Sequence, residues 1–193
     1  MGKYNLKKTD TNLRLGEVRF SFVHVFEKRV GDDGKEGKEG KYGCCILWPK
    51  SDTNTTEMVQ AAIEAAKQKG KTDKWNGKIP ANCKSPLRDG DIDREDDENF
   101  EGMWFMNANA GQKPGIRVLE NGRITEALPD DFYSGCWGAV TVNFYPYEFS
   151  GNKGVGVGLN NVMKTRDDTK LSGGASAESD FGDLGDFADS CLD

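Results

Sequence analysis

Apolar and polar residues alternate with a period of two over much of the chain. In residues 13–26, Val18, Phe20, Phe22, His24 and Phe26 alternate with Arg19, Ser21, Val23 and Val25. That is the pattern of a strand with one buried face. His24 falls in the apolar register, so a satisfied core imidazole is expected there. Lys41–Pro49 reads as a second strand stopped by its proline. Residues 102–108, 116–120, 123–127, 136–149 and 154–164 follow as further strands. Asn121-Gly122, between 116–120 and 123–127, predicts a type I′ hairpin. The only helical period covers 54–69, with Met58, Ala61, Ala62, Ala65 and Ala66 on one face and Ile63 beside it. Asn54 and Glu57 fit a capping box there, and Gly70 fits a C′ stop. Residues 31–40, glycine-rich and charged, read as a mobile hairpin loop, and 71–99 as a long loop. One helix against six or seven strands favours a small barrel or sandwich over a βαβ fold.

Glycines at 154, 156 and 158 step by two, which is a strand period. They match neither a Walker A loop nor G-x-G-x-x-G. Val155, Val157 and Leu159 line the other face. The bare face admits something flat: an aromatic from a neighbouring strand, or a nucleobase or sugar–phosphate.

Charge divides the chain. Residues 171–193 hold six acids (Glu178, Asp180, Asp183, Asp186, Asp189, Asp193) and no Lys or Arg. Gly, Ser and Ala fill the gaps, and Phe181, Leu184, Phe187 and Leu192 recur along the run. Such a segment cannot bury enough apolar surface to offset its ordering entropy, so a disordered tail is expected after a 1–170 domain. The spaced aromatics point to a partner-binding tail, with Asp180, Phe181, Asp183, Asp186, Phe187, Asp189 and Asp193 as its contacts, rather than a solubilising one. The tail carries the whole net charge of −6. Within the neutral body, residues 1–88 hold 18 bases and 11 acids, whereas 89–105 hold one base and eight acids. One face of an acidic protein can thus be basic.

No apolar run is long enough for a membrane span, and the N-terminus lacks the apolar stretch of a signal peptide. The five cysteines show no paired spacing, which argues for a reducing compartment and buried free thiols. A zinc site from His24, Cys45, Cys83 and Cys136 is the alternative. Residues 89–98 begin like a calcium loop, but Arg94 and Phe100 stand where glycine and glutamate are needed. A solvated acidic loop is expected, with a metal-dependent nuclease as the rival reading. With one histidine and no visible acid/base pair, no catalytic residue is assigned, and no metal or cofactor.

Aromatics and bases interleave, as in proteins that hold single strands by stacking and a basic groove. Residue type and loop position select Lys50, Lys78, Lys84, Arg88, Lys153 and Lys164 for phosphates. Trp75, Trp104, Phe105 and Tyr147 are the stacking candidates. Alternation puts Trp104 and Phe105 on opposite faces, so one of the two should pack inside.

The segments Ile46-Leu-Trp-Pro-Lys-Ser-Asp-Thr53, Pro80-Ala-Asn-Cys-Lys-Ser-Pro-Leu-Arg-Asp-Gly-Asp91, Phe132-Tyr-Ser-Gly-Cys136, and Tyr145-Pro-Tyr147 through Gly-Asn-Lys-Gly-Val-Gly-Val-Gly-Leu-Asn-Asn-Val-Met-Lys164 resemble a bacteriophage single-stranded DNA-binding protein family. The resemblance runs from about residue 13 to 170. It implies a mainly β, OB-fold-like Greek-key barrel, here with one helix and long loop insertions, and no catalysis. It also implies sequence-independent single-stranded DNA binding in phage replication or recombination, in the cytoplasm of the infected bacterium. The tail would then recruit phage or host replication proteins (a polymerase, helicase or nuclease) and compete with DNA. Monomer and homodimer both stay open, as does DNA against RNA. The rival class is a protein-interaction module whose tail is its only functional element.

Overall fold

Two residues with positive φ shape the longest strand, β2 (Asn12–Arg29): Glu17 at 59° and Phe22 at 47°. The pairing of β2 slips at each of them, the mark of a β-bulge. Each bulge reverses the parity of the buried face. Leu13 and Leu15, then Val18 and Phe20, then Val25 enter the core. The single alternation expected over 13–26 is corrected accordingly. Phe22 is 43% exposed, and His24 is half-buried rather than a core imidazole.

The computed structural model describes residues 4–29 and 40–171. The expected acidic tail beyond Leu171 and most of the expected loop at 31–40 lie outside the described residues. β3 (Lys41–Pro49), β5 (Met103–Ala110), β8 (Trp137–Phe149) and β9 (Asn152–Arg166) join β2 in the order β5-β3-β2-β8-β9, all antiparallel neighbours. A parallel contact, Asn109 with Gly158, closes the ring. The result is a five-stranded OB-type barrel, as expected. β6 (Gly115–Glu120) adds in parallel to β9, and β7 (Arg123–Glu126) pairs with β6. Asn121 and Gly122 between them have φ of 49° and 76°, as a type I′ turn requires. Short β1 (Leu6–Lys7) lies on β2, and β4 (Arg88–Asp89) on β5.

The helix α1 (Thr53–Asp73) is longer at both ends than its sequence pattern. Asp52, not Asn54, caps it, accepting from Thr55 N at 3.0 Å and from Thr55 Oγ1 at 2.6 Å. Asn54 instead accepts from Asn5 Nδ2. Gly70 does not stop the helix; it lies buried within it. A Cβ at Gly70 would fall 2.6 Å from Pro146 Cβ and 2.7 Å from the Trp75 ring. The glycine is there for close approach, letting α1 sit on β8 with Trp75 folded back beneath it.

The expected loop at 71–99 is partly structured. It holds the end of α1, β4, α2 (Gly90–Asp93) and a 3₁₀ turn at Glu98–Phe100. Phe100 seals a second small core on the outer side of the barrel, with Cys45, Leu47 and Phe105. Phe100 meets Phe105 edge-on, centroids 5.0 Å apart.

Gly70→Ala tests the packing account. Alanine gains about 1 kcal/mol in helix propensity, yet overpacking a tight site costs about 1–3 kcal/mol. A lower urea midpoint than the parent's is expected. A midpoint raised by the full propensity gain would show that Gly70 is not held by contact with Trp75 and Pro146.

Candidate nucleic-acid interface

The outer face of the barrel is built in rows across the strands. One row runs His24 (β2), Gly43 (β3), Asn109 (β5), Gly158 (β9), Asn143 (β8), each paired in register with the next. Further along β8 and β9, Tyr145 pairs with Gly156 and Tyr147 with Gly154. The glycines are occupied by their neighbours. A Cβ at Gly156 would fall 2.7 Å from Tyr145 Cζ, and one at Gly154 would fall 3.0 Å from Tyr147 Oη. An aromatic ring fills the space at Gly156, whereas Lys84 comes nearest at Gly154 and the Asn143 carboxamide at Gly158. Tyr145 nevertheless stays 43% exposed. With its ring seated on bare backbone, it offers stacking surface to solvent.

At the β2–β3 end the face deepens into a cleft of about 320 Å³ lined by Phe22, His24, Arg29, Lys41, Arg94 and Asn109, among others. Arg94 lies over two rings, 5.2 Å from the Phe22 centroid and 5.4 Å from that of Phe100. It has no carboxylate partner among the described residues. At the other end, Lys84 lies against β9: its N–H donates to Lys153 O, and Val155 N–H donates to Lys84 O. Its Nζ donates to Asn152 Oδ1 at 2.7 Å. Lys153 Nζ pairs with Glu148 at 3.1 Å. Phe149, at the tip of this hairpin, is 75% exposed. The face thus carries cations at both ends and aromatic and carboxamide groups between them.

The expected site residues divide. Lys84 and Tyr147 come together on this face, both against Gly154; Lys153 shares the register of Val155 and pairs with Glu148 on the opposite side of the hairpin. Phe105 and Trp75 are core residues, 1% and 3% exposed, and have no face left for a base. Trp104 and Phe105 do point to opposite sides: Phe105 enters the outer cluster, and Trp104 packs half-buried against the main core. Lys164 is buried, because a register slip next to Asn161 turns it inward. Its Nζ holds Asp167 at 2.9 Å and lies over Tyr133. Lys78 is exposed in the turn after α1, apart from the face. Phe22, His24, Arg94, Asn107, Asn109, Asn143 and Tyr145 belong to the face and were not selected from sequence. Tyr145 could have been found by pairing Tyr145-Pro-Tyr147 with the glycine stripe. Phe22 could not, because nothing in the alternation announces its bulge.

The acidic stretch is exposed to solvent, as expected, but it is held by ion pairs and caps rather than loose. Lys50 Nζ binds Asp89 and Asp91, and Arg88 binds Asp93 at 3.0 Å. Asp97 caps the 3₁₀ turn. The hydrogen bond from Lys50, then that from Gly102 N–H, holds the Asp91 carboxyl below the usual carboxylate range. Arg88 does the same to Asp93. Such a pair contributes stability above the ordinary carboxylate pKa and loses it as pH falls through the depressed value. These groups are solvent-exposed, so that contribution is small. Lys50 and Arg88 are therefore matched by carboxylates before any phosphate arrives. Among the described residues no three His, Cys, Asp or Glu side chains are grouped to hold a metal ion. Burial raises the Cys45 thiol to about 12 and that of Cys136 to about 11, which keeps both protonated.

Comparison with known proteins bears on this face. A family model built on the single-stranded DNA-binding protein of Enterobacter phage Enc34 matches residues 11–191. Protein p50 of Acyrthosiphon pisum secondary endosymbiont phage 1 is 31% identical over 183 residues, covering 89% of this chain and 93% of p50. The Enc34 protein solved in complex with single-stranded DNA superposes with a TM-score of 0.71 at 24% identity, over 89% of this chain and 100% of that one. Gp2.5, a single-stranded DNA-binding protein encoded by bacteriophage T7, gives 0.56 at 14% identity, over 91% and 94%. At these identities the two structures establish a shared fold. The match across nearly the whole sequence, with p50 beside it, establishes the family: the chain belongs to the phage Enc34 single-stranded DNA-binding protein family.

Proposed function

We propose that this protein binds single-stranded DNA, largely without regard to sequence, along the outer face of β3, β5, β9 and β8. The observation that carries the reading is Tyr145 laid on the Gly156 backbone with its ring still open to solvent. A rigid aromatic platform on a strand stacks any base, because every base has a π-face. The cations at the two ends of the face then follow the phosphates on either side of the stacked bases. The position agrees with OB barrels generally, whose second and third strands and flanking loops take oligonucleotides. Family membership and the fold shared with the Enc34 protein–DNA complex support the same reading.

The role is non-catalytic, in phage DNA replication or recombination in the cytoplasm of the host. Asp89, Asp91, Asp93 and Asp97 are engaged in ion pairs and caps, and no three carboxylates among the described residues are grouped to hold a metal ion, which speaks against the nuclease reading. Residues 171–193 carry six acids and no base. Their field opposes that of the face, so they compete with DNA for it at low salt and dock onto a replication protein.

Tyr145→Ala is expected to weaken binding of a dT oligomer by about 5- to 150-fold, the loss of one stacked base, with thermal stability kept. An unchanged affinity would remove Tyr145 from the site. In a salt series, log K should fall against log[salt] with a slope of about −0.7 per phosphate contacted. A flat response would contradict the groove.

Removing residues 171–193 should tighten DNA binding at low salt, with the gain fading as salt screens the tail. Equal affinity with and without the tail at every salt concentration would end the competition claim. Failure of both forms to bind any oligonucleotide would favour the protein-interaction module.

A further inference from the structure

We infer that Asn107, Asn109 and Asn143 read base edges, so that affinity is graded by base composition with adenine preferred over thymine. The inference rests on the reading that this face takes single-stranded DNA. A carboxamide offers two donors and an acceptor oxygen. Asn152 and Asn161 of β9 use theirs within the protein. Among the described residues, Asn107, Asn109 and Asn143 do not, although all three lie on the binding face.

Their positions are set by glycine. Asn109 pairs with Gly43 on one side and Gly158 on the other, and Gly158 pairs in turn with Asn143. A Cβ at Gly43 would fall 2.6 Å from Asn109 Oδ1, and one at Gly158 would collide with Asn143 Oδ1. Both carboxamides therefore lie down over bare backbone, in the row beside the Tyr145 platform. Asn107 shares the face through its pairing with Cys45. At about 4.8 Å between strands, the Asn109 and Asn143 backbones stand about 10 Å apart across Gly158. The cations occupy the ends of the face and the amides its middle, where the edges of stacked bases lie. A planar amide pairs its oxygen and N–H with the donor and acceptor of adenine, the preferred asparagine partner among the bases.

The test is fluorescence anisotropy with dT oligomers and with the same oligomers carrying adenines at several positions. The proteins are the full chain, Asn109→Ala, Asn143→Ala and the triple alanine variant of 107, 109 and 143. Stacking within the oligonucleotide is common to all the proteins and cancels in their ratio. The ratio of affinity for the adenine-bearing oligomer to that for dT should be at least about fivefold higher in the full chain than in the triple variant. The triple variant should keep the parent's salt slope and melting temperature. Equal weakening of both oligomers in the triple variant, or no weakening of either, would overturn base reading while leaving single-strand binding in place. No binding of either oligomer by the full chain would sink the DNA reading itself, and this inference with it.

Discussion

β9 is hydrogen-bonded to three strands: antiparallel to β8 along its length, and in parallel to β6 and to β5. Barrel closure depends on it, and a strand so placed must satisfy two faces at once. Val155, Val157 and Leu159 fill the inner face, each contributing about 1.5–3 kcal/mol by burial. The outer face carries Gly154, Gly156 and Gly158, and the side chains of β8 lie in the space they leave. One period of two therefore both closes the core and flattens the surface. Side chains at Gly156 and Gly158 would displace Tyr145 and Asn143, and one at Gly154 would run into the backbone of Lys84.

Electrostatics divides the surface in a way the net charge conceals. The run from Asp89 to Asp97 is folded against the barrel by its own ion pairs and caps, with Phe100 anchoring it over β3 and β5. It binds Lys50 and Arg88 and leaves Arg94, the one base within it, lying between two aromatic rings at the mouth of the cleft. The acidic segment thereby limits the open face at one end and presents a cation to it. Lys84 marks the opposite end, beside the β8–β9 hairpin. A single strand laid between them would meet positive charge at both ends and stacking and hydrogen-bonding groups in between.

Where local pattern and tertiary structure agree, the sequence was legible. The glycine stripe, the Asn121-Gly122 turn, the strand at Lys41–Pro49 and the barrel class all follow from periodicity and turn chemistry. The losses have specific physical causes. Glu17 and Phe22 adopt positive φ, which no propensity favours, and the bulges they make invert the parity of everything after them; hence His24 and Phe22 were assigned to the core. The slip beside Asn161 moved Lys164 inward in the same way. Gly70 resembles a helix stop because contact with Pro146 and Trp75, far away or beyond the helix, is invisible in a linear pattern. Trp75 and Phe105 looked like stacking residues because an aromatic in sequence does not say which side of a strand or loop it will cover. The site was thus readable in its chemistry, bases interleaved with aromatics, but not in its membership.

The central claim is that the glycine-flattened outer face of β3, β5, β9 and β8 is where DNA lies. Amide chemical-shift mapping of the ¹⁵N-labelled full chain, titrated with a dT oligomer, tests it most directly. The account predicts the largest shifts at Gly43, Asn107, Asn109, Gly156, Gly158 and Tyr145, with α1 and the β6–β7 hairpin unmoved. Shifts concentrated on α1 or on the β6–β7 hairpin, with the glycine rows silent, would contradict it.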